Sequence, residues 1–310
     1  MMPGTPTLDQ LRVLVAVAET GNFSAAARRL NRAQSVVSYT IANLEQQLGL
    51  ELFARGKRTP ELTEAGRAML GDARRIGRTM DDLRARAAGL TAGLEAEVGL
   101  AVEVMFPIDR LVTALQAFAA QFPTVALRLR VEAMGAVLQL VLEGNCVLGI
   151  AGPIGLYSDR VERQLILNVE LIPVVAPCHP LASLSPPLPA AAFQEHTQLV
   201  LTDRSNLTEG RDFGVVSLRT WRLGDMSAKH ELLIAGLGWG NMPEHMVRED
   251  LRSGRLVRLR PMEAPAQRFP LMLIHRAEAP PRTAAQWLAG KLAEGALPEP
   301  ISLIATPRRA

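Results

Sequence analysis

The chain has 310 residues, 48% of them apolar and 21% charged, a balance that fits a folded chain of two or three domains. It has no run of 18 apolar residues, no basic-then-apolar leader in MMPGTPTLDQ, and only Cys146 and Cys178 as cysteines, so no transmembrane helix, signal peptide, disulfide framework or membrane partner is expected, and a cytoplasmic location is. The net charge of +3 is uneven: residues 1–90 hold 13 Lys+Arg against 9 Asp+Glu, leaving 21 against 22 for the rest, so a polyanion is the expected partner of the amino end.

Thr7 and Gln10 have capping-box spacing, and Leu8, Leu11, Leu14, Val15 and Ala18 mark the buried face of a first helix ended by Gly21-Asn22. Ser24 is the expected N-cap of a short second helix, SAAARRL, whose Ala26 and Ala27 permit close packing. Asn31-Arg32-Ala33 is a turn. The stretch AQSVVSYTIANLE then reads as a third helix, with Val37, Ile41, Leu44 and, one turn on, Leu48 along one side. Ser35, Ser38, Tyr39, Ala42 and Asn43 lie opposite, with Gln34 at the edge, and no charge appears before Glu45. A solvated helix face is usually dense in Lys and Glu, so this neutral, hydrogen-bonding surface calls for another occupant.

Residues 50–63, LELFARGKRTPELT, predict two short strands around a basic tip, the size of a wing, and Thr63 is placed to cap the following helix. From Met69, the residues Ala73, Ile76, Met80, Leu83, Ala87 and Leu90 recur at alternating steps of four and three, a repeat that buries a seam against a partner helix. Gly89 and Gly93 are expected to end this helix. Beyond it strands and helices alternate: strands near 98–104, 125–131 and 147–151, helices near 111–118 and 137–142. A second such unit begins near 170 with LILNVELIPVVAP, TQLVLTD, GVVSL and helices near 228–236 and 243–252, and PLMLIHR with AAQWLAGKL returns to the first. Alternation of this kind implies parallel sheet with helices on its faces.

Residues 11–66 strongly resemble the DNA-binding module of the LysR-type transcriptional regulators, through F-S-x-A-A-x-x-L in the second helix, A-Q-S-x-x-S in the third, I-x-x-L-E-x-x-L-G after it, L-F-x-R entering the wing and L-T-E-A-G opening the next helix. QFPTVALRLR, HPLA, AGLGWGNMP and DLRSGRLVRL resemble landmarks of that family's effector domain; Tyr39, NCVLGIAG and GWG depart from its commoner residues. The resemblance implies a winged helix-turn-helix domain over 1–63, a linker and dimerisation helix with hinge over 64–93, and a two-lobed α/β effector domain over 94–305. That domain would be similar to periplasmic binding proteins, with lobe I at 94–168 plus 268–305 and lobe II at 169–267. Implied partners are double-stranded DNA, a small-molecule effector and further copies of the chain as dimer or tetramer, with RNA polymerase admitted as another.

A helix in the major groove needs donors and acceptors at base edges. By resemblance Gln34, Ser38 and Tyr39 sit at base-reading positions with Ser35 beside them, and Arg55 reaches the minor groove. Ser24, Arg32, Asn43, Lys57 and Arg58 complete the expected DNA-contacting set, the cations supplying affinity and salt dependence. Ligands of two-lobed α/β folds sit at strand carboxyl ends near helix amino termini. Glu103, Met105 and Phe106 end one strand, Thr202 and Asp203 another, and Met226, Ser227 and Lys229 open a helix; with Ser227 as N-cap and Lys229 nearby, an anionic or aromatic effector is expected.

An enzyme is not expected, nor a metal or cofactor. The histidines show no ligand spacing, GLGWGNMP does not match G-x-G-x-x-G, since its sixth position, Asn241, is not Gly, and G-x-S-x-G is absent. Two alternatives stand beside ligand control: redox switching through Cys146 and Cys178, and an architectural DNA binder without a ligand.

Overall fold

The computed structural model describes residues 5–54, 59–91, 93–153, 159–202, 205–208, 213–262 and 267–295. The chain divides into two units, Met1–Ala92 and Gly93–Ala310.

In the first unit, helix α1 (Leu8–Thr20) starts with the expected capping box. Gln10 N donates to Thr7 Oγ1 at 3.3 Å and Thr7 N donates to Gln10 Oε1 at 2.7 Å. It stops at Gly21, whose φ of 61° is left-handed. Helix α2 (Phe23–Arg29) is capped by Asn22 instead of Ser24: the Asn22 carboxamide accepts from Ser24 N at 2.7 Å and Ala25 N at 3.1 Å. Helix α3 (Gln34–Leu48) follows Ala33, which supplies no side-chain cap. Val37, Ile41 and Leu44 enter one core with Val13, Leu14 and Val17 of α1 and Ala26 and Ala27 of α2. Each fully buried Val, Leu or Ile there contributes about 1.5–3 kcal/mol.

Among the described residues of the wing, Phe53 and Leu62 form an antiparallel bridge, flanked by Ala54 N donating to Glu61 O at 2.8 Å and Thr63 N to Leu52 O at 3.0 Å. Helix α4 (Glu64–Thr91) begins where Thr63 Oγ1 accepts from Gly66 N at 2.9 Å. It runs 28 residues, about 42 Å at 1.5 Å per residue. Gly89 lies inside it and does not end it; the left-handed Gly93 (φ 85°) lies beyond. A Cβ on Gly66 would collide with the backbone carbonyl of Leu52, so α4 lies against the wing as only glycine permits. Gly66→Ala should destabilise this unit by about 1–3 kcal/mol, read as a lower urea midpoint, because backbone on both sides must shift; an unchanged midpoint would deny the close contact.

In the second unit, β1 (Glu97–Glu103), α5 (Ile108–Gln121), β2 (Ala126–Glu132), α6 (Gly135–Leu142) and β3 (Leu148–Ala151) alternate as expected. Strand β1 pairs in parallel with both β2 and β3. The long β4 (Val161–Val175) leads into α7 (Ala190–Gln194), β5 (Gln198–Leu201), β6 (Thr220–Leu223), α8 (Met226–Ile234), β7 (Gly240–Pro243), α9 (Glu244–Ser253) and β8 (Val257–Arg258). Strand β9 (Gln267–Arg276) and α10 (Thr283–Ala293) return to the first lobe, as the sequence predicts: β9 pairs with β3, and α10 packs on α5.

The main sheet runs β2-β1-β3-β9-β4-β7, with β8 also on β4, and β5 and β6 form a parallel pair. It is mixed, because β9 runs antiparallel to β3 and β4, and β4 antiparallel to β7. Strands β4 and β9 stay paired through both lobes, with a register shift between Leu165 and Leu167, so each lobe is hung on the same two strands. Phe269 and Leu171 pack against the cores on both sides.

GVVSL is not a strand. The buried Gln198 carboxamide stands in for a ladder there, accepting from Val216 N at 2.8 Å and Ser217 N at 3.1 Å and donating to Gly214 O at 2.7 Å. The HPLA segment opens a short 3-10 turn, Pro180–Ser183, in which Leu181 N donates to His179 Nδ1 at 3.2 Å. Burial, and secondarily the charge of His196 beside it, hold the His179 pKa below 6.5. An unfolded histidine titrates near that value, so the unfolded chain binds more protons below it. The stability His179 contributes is present above pH 6.5 and is lost as pH falls through its folded-state pKa. Burial also lowers the His245 pKa and adds to the slope. The unfolding midpoint should therefore drop between about pH 7 and pH 5, and His179→Asn should flatten that drop; an equal slope in both proteins would refute the assignment.

Candidate nucleic-acid interface and effector cleft

The outer side of α3 is exposed from Gln34 to Tyr39 apart from the buried Val37, and Tyr39 is 67% exposed. Among the expected base readers, Gln34 is held by a neighbour: Ser24 Oγ donates to Gln34 Oε1 at 2.9 Å, bridging α2 to the first residue of α3. This fixes the plane of an amide whose NH2 group stays available. Ser35 and Ser38 lie on the same exposed side, and Asn43 is half-buried further along. Glu45 stays clear of this surface for a structural reason. Its carboxylate accepts from Leu52 N at 2.7 Å and Phe53 N at 3.1 Å and pins the start of the wing.

Arg32 is already engaged. Both of its Nη atoms donate to Asp9 at 2.7 Å, and that hydrogen bond holds the Asp9 carboxyl below the usual carboxylate range. A phosphate would have to compete with Asp9 for it. Arg55, Lys57 and Arg58 lie outside the described residues.

The seam of α4 divides in two. Ala73 is buried in the core of its own unit, and the half-buried Met69 packs against it. Ile76, Leu83 and Leu90 stay 42%, 61% and 49% exposed, and with Arg75, Thr79 and Met80 the first two line an uncovered apolar groove.

Between the two lobes of the second unit lies a cavity of about 270 Å³. Val104 follows β1, Val131, Glu132 and Ala133 end β2, Leu201 and Thr202 end β5, and Gly224 to Ser227 open α8 around it. Strand ends and a helix amino terminus converge, as in other two-lobed α/β folds.

Model descriptions of two families match this chain: a bacterial regulatory helix-turn-helix protein of the lysR family over residues 8–67, and the LysR substrate binding domain over residues 91–296. The chain belongs to the LysR family. Among relatives of this LysR-type protein, the HTH-type transcriptional regulator AceR of Acinetobacter baumannii is 29% identical over 249 residues, 78% of this chain and 80% of that protein. The uncharacterised HTH-type transcriptional regulator YnfL of Escherichia coli is 30% identical over 282 residues, 88% and 94% of the two chains. A solved structure of a Corynebacterium glutamicum OxyR C206 mutant matches in fold with a TM-score of 0.50 at 21% identity, covering 94% of this chain and 93% of that one. The protein is thus a DNA-binding transcriptional regulator with an effector-binding domain, in a family of regulators and not of enzymes.

Several effector contacts expected of this LysR-type chain are placed elsewhere. Thr202, Met226 and Ser227 line the cavity; Glu103, Met105, Phe106 and Lys229 do not, and Asp203 lies outside the described residues. Glu103 is fully buried and accepts from Met134 N at 2.7 Å, holding Met134 at φ 51° and ψ −120° ahead of α6. Met105 joins the second lobe's core and Phe106 the first's. Asp225 caps α8 in place of Ser227, accepting from Ala228 N at 2.6 Å.

Lys229 turns inward, 5% exposed, and donates to Asn241 O at 2.7 Å; burial pulls its pKa to about 8. Glu132 and Ala133, at the carboxyl end of the expected strand β2, also line the cavity. Cys146 is buried in the first lobe with its thiol pushed up by burial, which suits a core hydrophobe better than a thiolate sensor. Cys178 is exposed, and both are free thiols.

Proposed function

We propose that two copies pair along the exposed part of α4 and set two α3 helices into successive major grooves of a pseudo-palindromic site. A small effector in the inter-lobe cavity then changes the arrangement of the dimer, or of a tetramer of two such dimers, and the bend of the DNA. The regulator acts in the cytoplasm. The observation that carries this reading is the neutral outer face of α3, exposed and with Gln34 steadied by Ser24. Polar atoms at close range suit base edges, whereas acids there would meet phosphates. The uncovered Ile76 and Leu83 support pairing, because a helix of this length gains most of its stability from packing an apolar face. An effector can shift the balance only by its differential affinity for the two arrangements.

Footprinting on the intergenic DNA upstream of the chain's own gene tests this. Two protected blocks centred about one helical turn, 10–10.5 bp, or a multiple of it apart are expected. A single block, or no protection at low ionic strength, would contradict the paired reader.

A further inference from the structure

The cavity expected to take an anion is bordered, among the described residues, by two carboxylates and no cation. Glu132 closes β2 and Asp225 precedes α8. The start of α8 would ordinarily draw an anion through its free amides and dipole. Here the Asp225 carboxylate already accepts from Ala228 N and sets a negative charge at that end. Lys229, the cation that would have reinforced an anion site, spends its ammonium on Asn241 O in the interior. The rest of the wall is mixed: Val104, Val131 and Leu201 stand beside Thr202 and Ser227. The volume is at the small end of ligand pockets.

We propose that the effector carries a protonated amine or amidinium on a short apolar body, with the cation held by Glu132 and Asp225 and the body against Val104 and Val131. The inference rests on the reading of this cavity as the effector site. Charge-assisted N–H to carboxylate bonds are about twice as strong as neutral ones. A carboxylate ligand would meet two like charges with no described cation to offset them.

The test titrates the full-length chain, by ligand-observed NMR, with n-pentylammonium, n-pentanol and pentanoate, which share one carbon skeleton and differ in charge. The ammonium should bind tightest. Its preference should fall about fivefold in Glu132→Gln/Asp225→Asn, where Asn keeps a capping acceptor for α8. Ser227→Trp, which fills the cavity, should abolish binding of all three. Pentanoate bound in preference, with that binding lost in Ser227→Trp, overturns the ligand class while the cavity reading stands. Ammonium binding that survives Ser227→Trp overturns both. Absence of any ammonium preference, or of any binding, also overturns the ligand class.

Discussion

Replacing Ile76 and Leu83 together by glutamate should leave a folded chain that no longer pairs, and should cut affinity for a two-half-site operator by about 10²- to 10⁴-fold. The two side chains are 42% and 61% exposed in the single chain, so the core of the first unit does not depend on them. Each would contribute about 1.5–3 kcal/mol if covered by a partner, and glutamates facing glutamates there would repel. Loss of pairing turns the second half-site contact from an intramolecular event into a separate encounter, which is where most of the affinity goes. Sedimentation gives the mass and a mobility-shift titration the affinity. Ala73→Glu is the contrasting variant: Ala73 is buried within its own unit, so this change should unfold the unit rather than separate chains. An Ile76→Glu/Leu83→Glu protein that sediments with the mass of the unaltered one would place the pairing surface elsewhere.

Gln34→Ala should reduce discrimination between operator and random DNA by about 1–3 kcal/mol while leaving non-specific binding nearly intact. The amide is exposed at the first residue of α3 and carries no part of the core. Its truncation would therefore remove the proposed base contact without disturbing the helix. Ser24→Ala should give a smaller loss of the same kind, since Ser24 steadies the amide through the 2.9 Å hydrogen bond. Arg32→Ala should behave differently. The Arg32–Asp9 pair ties α1 to the turn before α3, so the loss combines a surface ion pair, worth about 0–1 kcal/mol, with any phosphate contact.

The DNA-binding unit was largely legible because its signals are local. Val37, Ile41 and Leu44 follow the helical period, Thr7 and Gln10 the capping box, and all do in space what their spacing implies. The two caps that were misplaced share one cause. In Asn22-Phe23-Ser24 and Asp225-Met226-Ser227 two good cap residues stand two apart, and their intrinsic preferences are nearly equal. In each case the chain turns helical immediately after the first.

The effector cleft was less legible because its geometry is set by strand pairing over long separations. Nothing near Glu132 in sequence announces that the end of β2 faces Asp225 across the lobes. A lysine at the start of a helix reads as an anion site, yet Lys229 is swallowed by packing against β7, where it satisfies a carbonyl. A cation in a first helical turn opposes the macrodipole, and that mismatch was the available hint. GVVSL misled for a similar reason, since one buried glutamine side chain replaces the neighbour strand its pattern suggests.

The central claim, that α3 reads bases in the major groove through Gln34, is tested most directly by replacing each adenine of the footprinted site in turn with 7-deazaadenine, which exchanges the N7 acceptor for C–H. The account predicts one adenine per half-site at which the unmodified protein loses about 1–3 kcal/mol and Gln34→Ala loses nothing further. Equal losses for both proteins at every adenine, or no loss at any, would contradict it.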